Sequence, residues 1–169
     1  MATNMFAQFS NIEGECEDEG HKKWCEITAL EQDFSNPTIP LPPGAKEGLG
    51  AKPCKHSEIE IKKLVDKASA GLMKACWFGD TVDSVVIECF RTGLGLEDEK
   101  QPIKYFSVKL KGVIIKEFDY SAGEGELISE TLKLVASEAT YAYRQMLKRT
   151  GYAVRGGEAS VTIGKANRD

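Results

Sequence analysis

Between Glu58 and Gly93 the chain passes from an alternating segment, Glu58-Ile59-Glu60-Ile61, through Lys62-Lys63-Leu64-Val65-Asp66-Lys67-Ala68-Ser69 into one short helix and out into a second strand. Alternation with period two marks a half-buried strand. Ser69 stands where a helix cap belongs. Leu72, Met73, Cys76 and Trp77 then recur at helical spacing, and Gly79 supplies the stop. Leu72, Met73 and Trp77 are expected in the core, with packing of Trp77 or Phe78 against a neighbouring subunit as a further use. Every other periodic segment reads as a strand, so this one helix fixes the class: mainly β, a barrel or sandwich with one flanking α-helix.

The strands expected from pattern are Met5 to Phe9, Trp24 to Phe34, Val82 to Arg91 and Lys104 to Phe118, closed by a pair at Leu127 to Ala136 and Thr140 to Met146. A polar connection from Ile12 to Lys23 carries Glu13, Glu15, Glu17, Asp18 and Glu19, and a charged one runs from Gly93 to Pro102. No repeat or change of composition separates a second unit. The chain therefore reads as a single domain over residues 1–169, with a long loop at 36–53 and a divergent tail at 147–169.

That loop is the most unusual segment. Asn36 to Pro53 holds five prolines and three glycines, a composition that argues against any ladder strand or helix within it. Long unstructured loops in compact domains are usually functional or disordered. Apolar side chains in a proline-stiffened segment suit docking, because less entropy is lost on contact. Ile39, Pro40, Leu41, Pro42, Pro43, Lys46 and Leu49 are therefore the candidate interface residues.

Chemistry of other kinds finds little support. The formal charge of -4 argues against a nucleic-acid surface. The start of the chain, Met1-Ala2-Thr3-Asn4-Met5-Phe6, lacks the charged and apolar regions of a secretory signal, and no apolar run is long enough to insert in a membrane. Cys16, Cys25, Cys54, Cys76 and Cys89 form an odd set without Cys-x-x-Cys spacing, which fits reduced thiols. His21 and His56 are the only histidines, and neither sits in a spacing that demonstrates a nucleophile pair or a metal site. The acidic cluster lacks the ligand order of a calcium loop. No catalytic, cofactor-binding or metal-ligating residue is expected.

The pattern Lys63-Leu64-Val65-Asp66-Lys67-Ala68-Ser69, followed by the helix and a strand ending at Arg91-Thr92-Gly93, resembles the Hcp family, whose members build the inner tube of type VI secretion systems. The opening is similar as well: a strand, then Gly14-Glu15, Glu17-Asp18-Glu19 and His21. So are the strand from Lys104 to Val113 and the Gly123-Glu124-Gly125-Glu126 connection. The chain departs from that family in its Pro-rich loop and in having Tyr141-Ala142-Tyr143 where members often carry a Trp. The resemblance implies a homohexameric ring, stacked into a tube, tipped by a VgrG-type spike, driven by a contractile sheath and able to hold effector cargo. It implies a protein made in the cytoplasm and secreted by that system without a signal peptide. The alternatives are a tail-tube protein of another phage-like contractile particle and a small ligand-binding barrel or enzyme.

Overall fold

The computed structural model describes residues 3–40, 43–44, 49–92, 102–146 and 153–163. Its strands are β1 (Thr3–Phe9), β2 (Cys25–Ile27), β3 (Ala29–Glu31), β4 (Phe34–Ser35), β5 (Thr38–Pro40), β6 (Leu49–Ala51), β7 (Lys55–His56) and β8 (Ile59–Leu64). The helix α1 (Ser69–Phe78) follows, then β9 (Thr81–Thr92), β10 (Pro102–Ser121), β11 (Ser129–Met146) and β12 (Ala153–Thr162). Hydrogen bonding runs in the order β2-β1-β9-β10-β11-β8-β3, and β12 pairs with β11 outside that path. Because β2 and β3 are consecutive yet lie at opposite ends of the path, the sheet curls until one passage of chain joins its two edges, which gives a nearly closed barrel.

Closure explains the first departure from sequence pattern. Trp24 to Phe34 is not one strand but three short pieces, since Cys25–Ile27 pairs with β1 while Ala29–Glu31 pairs with β8. At the break, Thr28 donates both its N–H and its hydroxyl to the carbonyl of Lys62, at 2.7 and 3.1 Å. Alternation survives a change of partner strand, so it cannot report one.

The second departure lies in the long hairpin of β10 and β11. The expected pair of closing strands is one continuous strand, because Ala136-Ser137-Glu138 contains neither glycine nor proline and stays in register with Val113 to Lys111. Both strands serve two parts of the barrel. β10 pairs with β9 through its first half, while β11 turns from β8 in its first half to β12 in its second. Gly112, at φ 56°, sits in this bend, where a Cβ would meet Ser137 Oγ at 2.4 Å. Only glycine adopts that conformation without strain. Beyond the hairpin, the tail contributes β12, an order invisible in a segment with weak alternation.

Inward side chains fill the barrel: Ala7, Ile27, Ile59, Ile61, Val85, Ile87, Val108, Leu110, Val113, Leu132 and Leu134 form one buried cluster. Helix α1 lays Ala68, Ser69, Leu72 and Ala75 against it. Gly79, left-handed at φ 66°, ends the helix, with the Asp80 N–H reaching the Ala75 carbonyl at 3.0 Å. Trp77 is not the core residue expected: it is 74% exposed, and its neighbour Phe78 is 70% exposed. Trp77 follows Leu72 by five residues and therefore points about 140° round the helix from it.

Candidate functional site

Residues 33–56 leave the barrel after β3 and return before β8, and the base of this arm is clasped to the barrel by polar contacts. Asp33 donates its N–H to Ser57 Oγ at 2.7 Å, Ser57 returns its own N–H to the Asp33 carbonyl at 3.0 Å, and Tyr141 donates its hydroxyl to Gln32 Oε1 at 2.8 Å. Phe34 meets His56 and Tyr141 edge-on, with ring centroids 5.2 and 5.6 Å away.

Beyond this base the arm has more structure than its prolines suggest. Two short ribbons form, β4 with β7 and β5 with β6, where Thr38, Ile39 and Pro40 face Ala51, Gly50 and Leu49. A two-stranded ribbon has only edges, so a proline can turn its missing donor outward without loss. Of the candidate interface residues, Ile39, Pro40, Pro43 and Leu49 fall in this ribbon and its turn, with Ile39, Pro40 and Pro43 exposed. Leu41, Pro42 and Lys46 lie outside the described residues. Among the described residues, the ribbon pairs with itself and with no barrel strand.

The motif that pattern singled out turns inward instead. Lys63 is fully buried, with Nζ 2.5 Å from Glu130 Oε1, 2.8 Å from Asp66 Oδ1 and 2.8 Å from the Leu64 carbonyl. Ser69 donates its hydroxyl to Glu130 at 2.9 Å and accepts the Asp66 N–H at 2.9 Å. Ser69 is therefore not the expected cap. The cap position is Ala68, which has no capping side chain, and Asp66 Oδ1 accepts its N–H at 2.8 Å just ahead of the helix. The Lys-x-x-Asp-x-Ala-Ser order thus places a cation, an anion and a hydroxyl around one buried point. Glu130, which completes the set, lies in a strand pattern that gives no sign of a buried charge.

His21 is similarly structural in its contacts. It stacks on Phe6 at 4.2 Å, and its two ring nitrogens approach Asp18 at 2.7 Å and Glu88 at 3.1 Å. With both nitrogens held by carboxylates, neither is free to activate a nucleophile or bind a metal. Burial would raise the Glu88 carboxyl, but hydrogen bonds from Lys104 and His21 outweigh it and hold it below the usual range, and His21 holds Asp18 below its own. Desolvation pushes the Cys25 thiol far up and that of Cys89 up to about 11, which makes both poor nucleophiles. His56 is half-buried under Phe34, its Nδ1 without a hydrogen-bond partner among the described residues. Among those residues, no group of three His, Cys, Asp or Glu side chains is arranged to hold a metal ion, and no helix is long and apolar enough to cross a membrane.

On the outer face of β3, β8, β11 and β10, Lys62 bridges Glu31 and Glu60, Lys133 meets Glu117 at 2.5 Å, and Lys116 pairs with Glu58. Charges of both signs alternate there. A shallow depression of about 170 Å³, lined by Ser107, Lys109, Thr140, Arg144 and Glu158, lies on the outside of β10, β11 and β12.

A nearly closed barrel, one flanking helix and an arm outside it are the parts expected of a subunit that works by assembly. The family model described as "Type VI secretion system effector, Hcp" matches residues 6–146. The chain belongs to the Hcp family. Its role is that of a type VI secretion tube subunit. Solved structures agree in fold with this Hcp chain. One described as a type six secretion system protein superposes with a TM-score of 0.80 at 21% identity, covering 96% of each chain. A type VI secretion system effector from Yersinia pestis gives 0.68 at 21% identity, over 94% of this chain and 99% of its own. Hcp1 from Salmonella typhimurium gives 0.67 at 18%, over 95% and 92%. No curated protein sequence matches this Hcp chain.

Proposed function

We propose that copies of this chain close into a homohexameric ring and that the rings stack into the tube of a type VI secretion system. The observation that carries this reading is the family match over residues 6–146. A ring of identical subunits needs a heterologous contact that closes, and a tube needs a second contact that repeats along the axis. A nearly closed barrel suits both, since few of its strand edges are left unpaired and its outer surfaces are free for packing. The tube is tipped by a VgrG-type spike, expelled by contraction of an outer sheath, and carries small effectors in its lumen. The chain leaves the cell through this system and contributes binding and assembly, not chemistry.

The test is electron microscopy of the purified protein with its mass in solution. Annular particles of six subunits support the reading. A monomer at every micromolar concentration overturns it. Export is read as appearance of the chain in the medium, lost when the sheath is disabled.

A further inference from the structure

Two passes of chain join the arm to the barrel, one leaving at Gln32 to Ser35 and one returning at Lys55 to Glu58. Phe34 and His56 face each other across β4 and β7, and their rings meet edge-on at 5.2 Å. Phe34 also meets Tyr141 of β11 at 5.6 Å, so the outgoing pass is gripped between a ring of the returning pass and a ring of the barrel. Beside this grip lies a cavity of about 230 Å³ whose walls include Gln32, His56, Ser57, Leu134, Ala136 and Ile163. The root of the arm thus has space to shift on one side without displacing the core.

Within the grip, Nδ1 of His56 is buried and has no hydrogen-bond partner among the described residues. A neutral imidazole leaves one ring nitrogen bare, but an imidazolium carries N–H on both. A charged donor shut away from water without an acceptor costs more than a neutral one. The acceptors around the ring are already committed. Gln32 Oε1 takes the Tyr141 hydroxyl at 2.8 Å, and Ser57 Oγ accepts the Asp33 N–H at 2.7 Å while donating to the Glu58 carbonyl at 3.0 Å. The Glu58 carboxylate is paired with Lys116, whose hydrogen bond holds it below the usual range. Tyr141, which faces the root from β11, is pushed up by burial and stays neutral. The remaining charged groups on the two passes are Lys55, which opposes a second cation, and Asp33, whose side chain is exposed.

We propose that the arm root is an acid-operated latch: neutral His56 keeps Phe34 seated against Tyr141, and a proton on the ring opens the root and frees residues 33–56 from the barrel. The device is internal to one copy and stands whether or not copies assemble. Its sign follows from where the proton can bind. With the root open, His56 lies in water, where a histidine takes up its proton near about pH 6.5. The closed root excludes that proton, so closure is complete well above this value and is lost as pH falls through it. Opening should therefore be about tenfold more frequent at pH 5.5 than at pH 7.5.

The experiment is hydrogen exchange of the full chain at pH 7.5 and 5.5, corrected for the intrinsic pH dependence of exchange, at a protein concentration where the particle mass is the same at both. Peptides spanning 33–40 and 49–58 report the root, and peptides from β9 and β10 report the barrel. In the wild type the root should exchange about tenfold faster at the lower pH while the barrel is unchanged. His56→Phe keeps a ring and has nothing to protonate, so its root should exchange slowly at both values. Phe34→Leu removes the grip and should exchange fast at both, and it decides the matter if His56→Phe loses barrel protection. Equal root exchange in the wild type at the two pH values overturns the proposal, as does slower exchange in acid, which would mean that the imidazolium finds an acceptor such as Asp33. A pH response that persists in His56→Phe, or in Phe34→Leu, overturns it by showing that another group operates the root. Barrel peptides that loosen together with the root overturn it too, since the change is then global unfolding.

Discussion

Lys63 Nζ and Glu130 Oε1 stand 2.5 Å apart with neither side chain exposed to solvent, one anchored in β8 and the other at the start of β11. Asp66 adds a second carboxylate at 2.8 Å, and Ser69 supplies a hydroxyl. The cluster pins the entrance of helix α1 to the barrel, so the path from strand to helix depends on a charge balance as well as on apolar packing.

Removing one member should therefore cost more than removing two. Glu130→Ala leaves the Lys63 cation with less compensation and is expected to lower stability by about 3 to 5 kcal/mol. Lys63→Met with Glu130→Leu should recover much of that loss. Urea denaturation midpoints decide it; a double variant no more stable than the single would mean that the site demands charge for its fold.

Helix α1 provides a contrast in burial. Leu72→Ala should cost about 2 to 5 kcal/mol, since the side chain is wholly enclosed. Trp77→Ala, at an exposed position, should stay within about 0.5 kcal/mol in the isolated subunit. Equal shifts in denaturation midpoint would contradict this placement of the helix.

Acid should loosen the connection between β1 and β2. Asp18 and Glu88 titrate below their ordinary values because they engage His21 and, for Glu88, Lys104. A carboxyl whose folded value is depressed stabilises the fold above its unfolded value and loses that contribution as pH falls through the folded one. The contribution of Glu88 is thus complete above about pH 4.5, its ordinary value, and fades below it. Glu88→Gln should be less stable than wild type at pH 6 and approach it near pH 3; parallel stability curves across that range would exclude the linkage.

Thiol reactivity should sort by environment. Cys54 is exposed and should react first with a disulfide reagent. Cys89, raised to about 11 by burial, is thiolate in only about one molecule in a thousand at pH 8, and Cys25 is shifted further in the same direction. Both should become reactive only in denaturant. Early labelling of either in the native protein would show that the barrel opens.

Much of this was visible in the chain. Alternation located β1, β8, β9 and β10, and the order of segments from Glu58 to Gly93 carried the family resemblance. Periodicity says which way a residue faces and not which strand it pairs with, so the switch at Thr28 and the continuity of β11 through Ser137 were hidden. The motif Lys63-x-x-Asp66-x-Ala68-Ser69 could be seen without its meaning, because Glu130 joins it from 67 residues away. Helical spacing put Trp77 on the apolar face, but a helix lying on a barrel buries a stripe centred on Ala68, Leu72 and Ala75, and Trp77 falls outside it. Proline count set the arm off as a loop and wrongly made it strandless, since a ribbon that is all edge tolerates what a central strand rejects.

The chain's passage over Thr28 has a mechanical consequence. It binds β1 on one side and β8 on the other, so a pull along the barrel axis loads both seams in shear, and their bonds must fail together. Strand β12 is held by β11 alone and can be unzipped from one end, bond after bond, at far lower force. The subunit is therefore stiff along the barrel axis and soft at one strip of its flank, with two separate rupture steps governed by two separate unfolding rates.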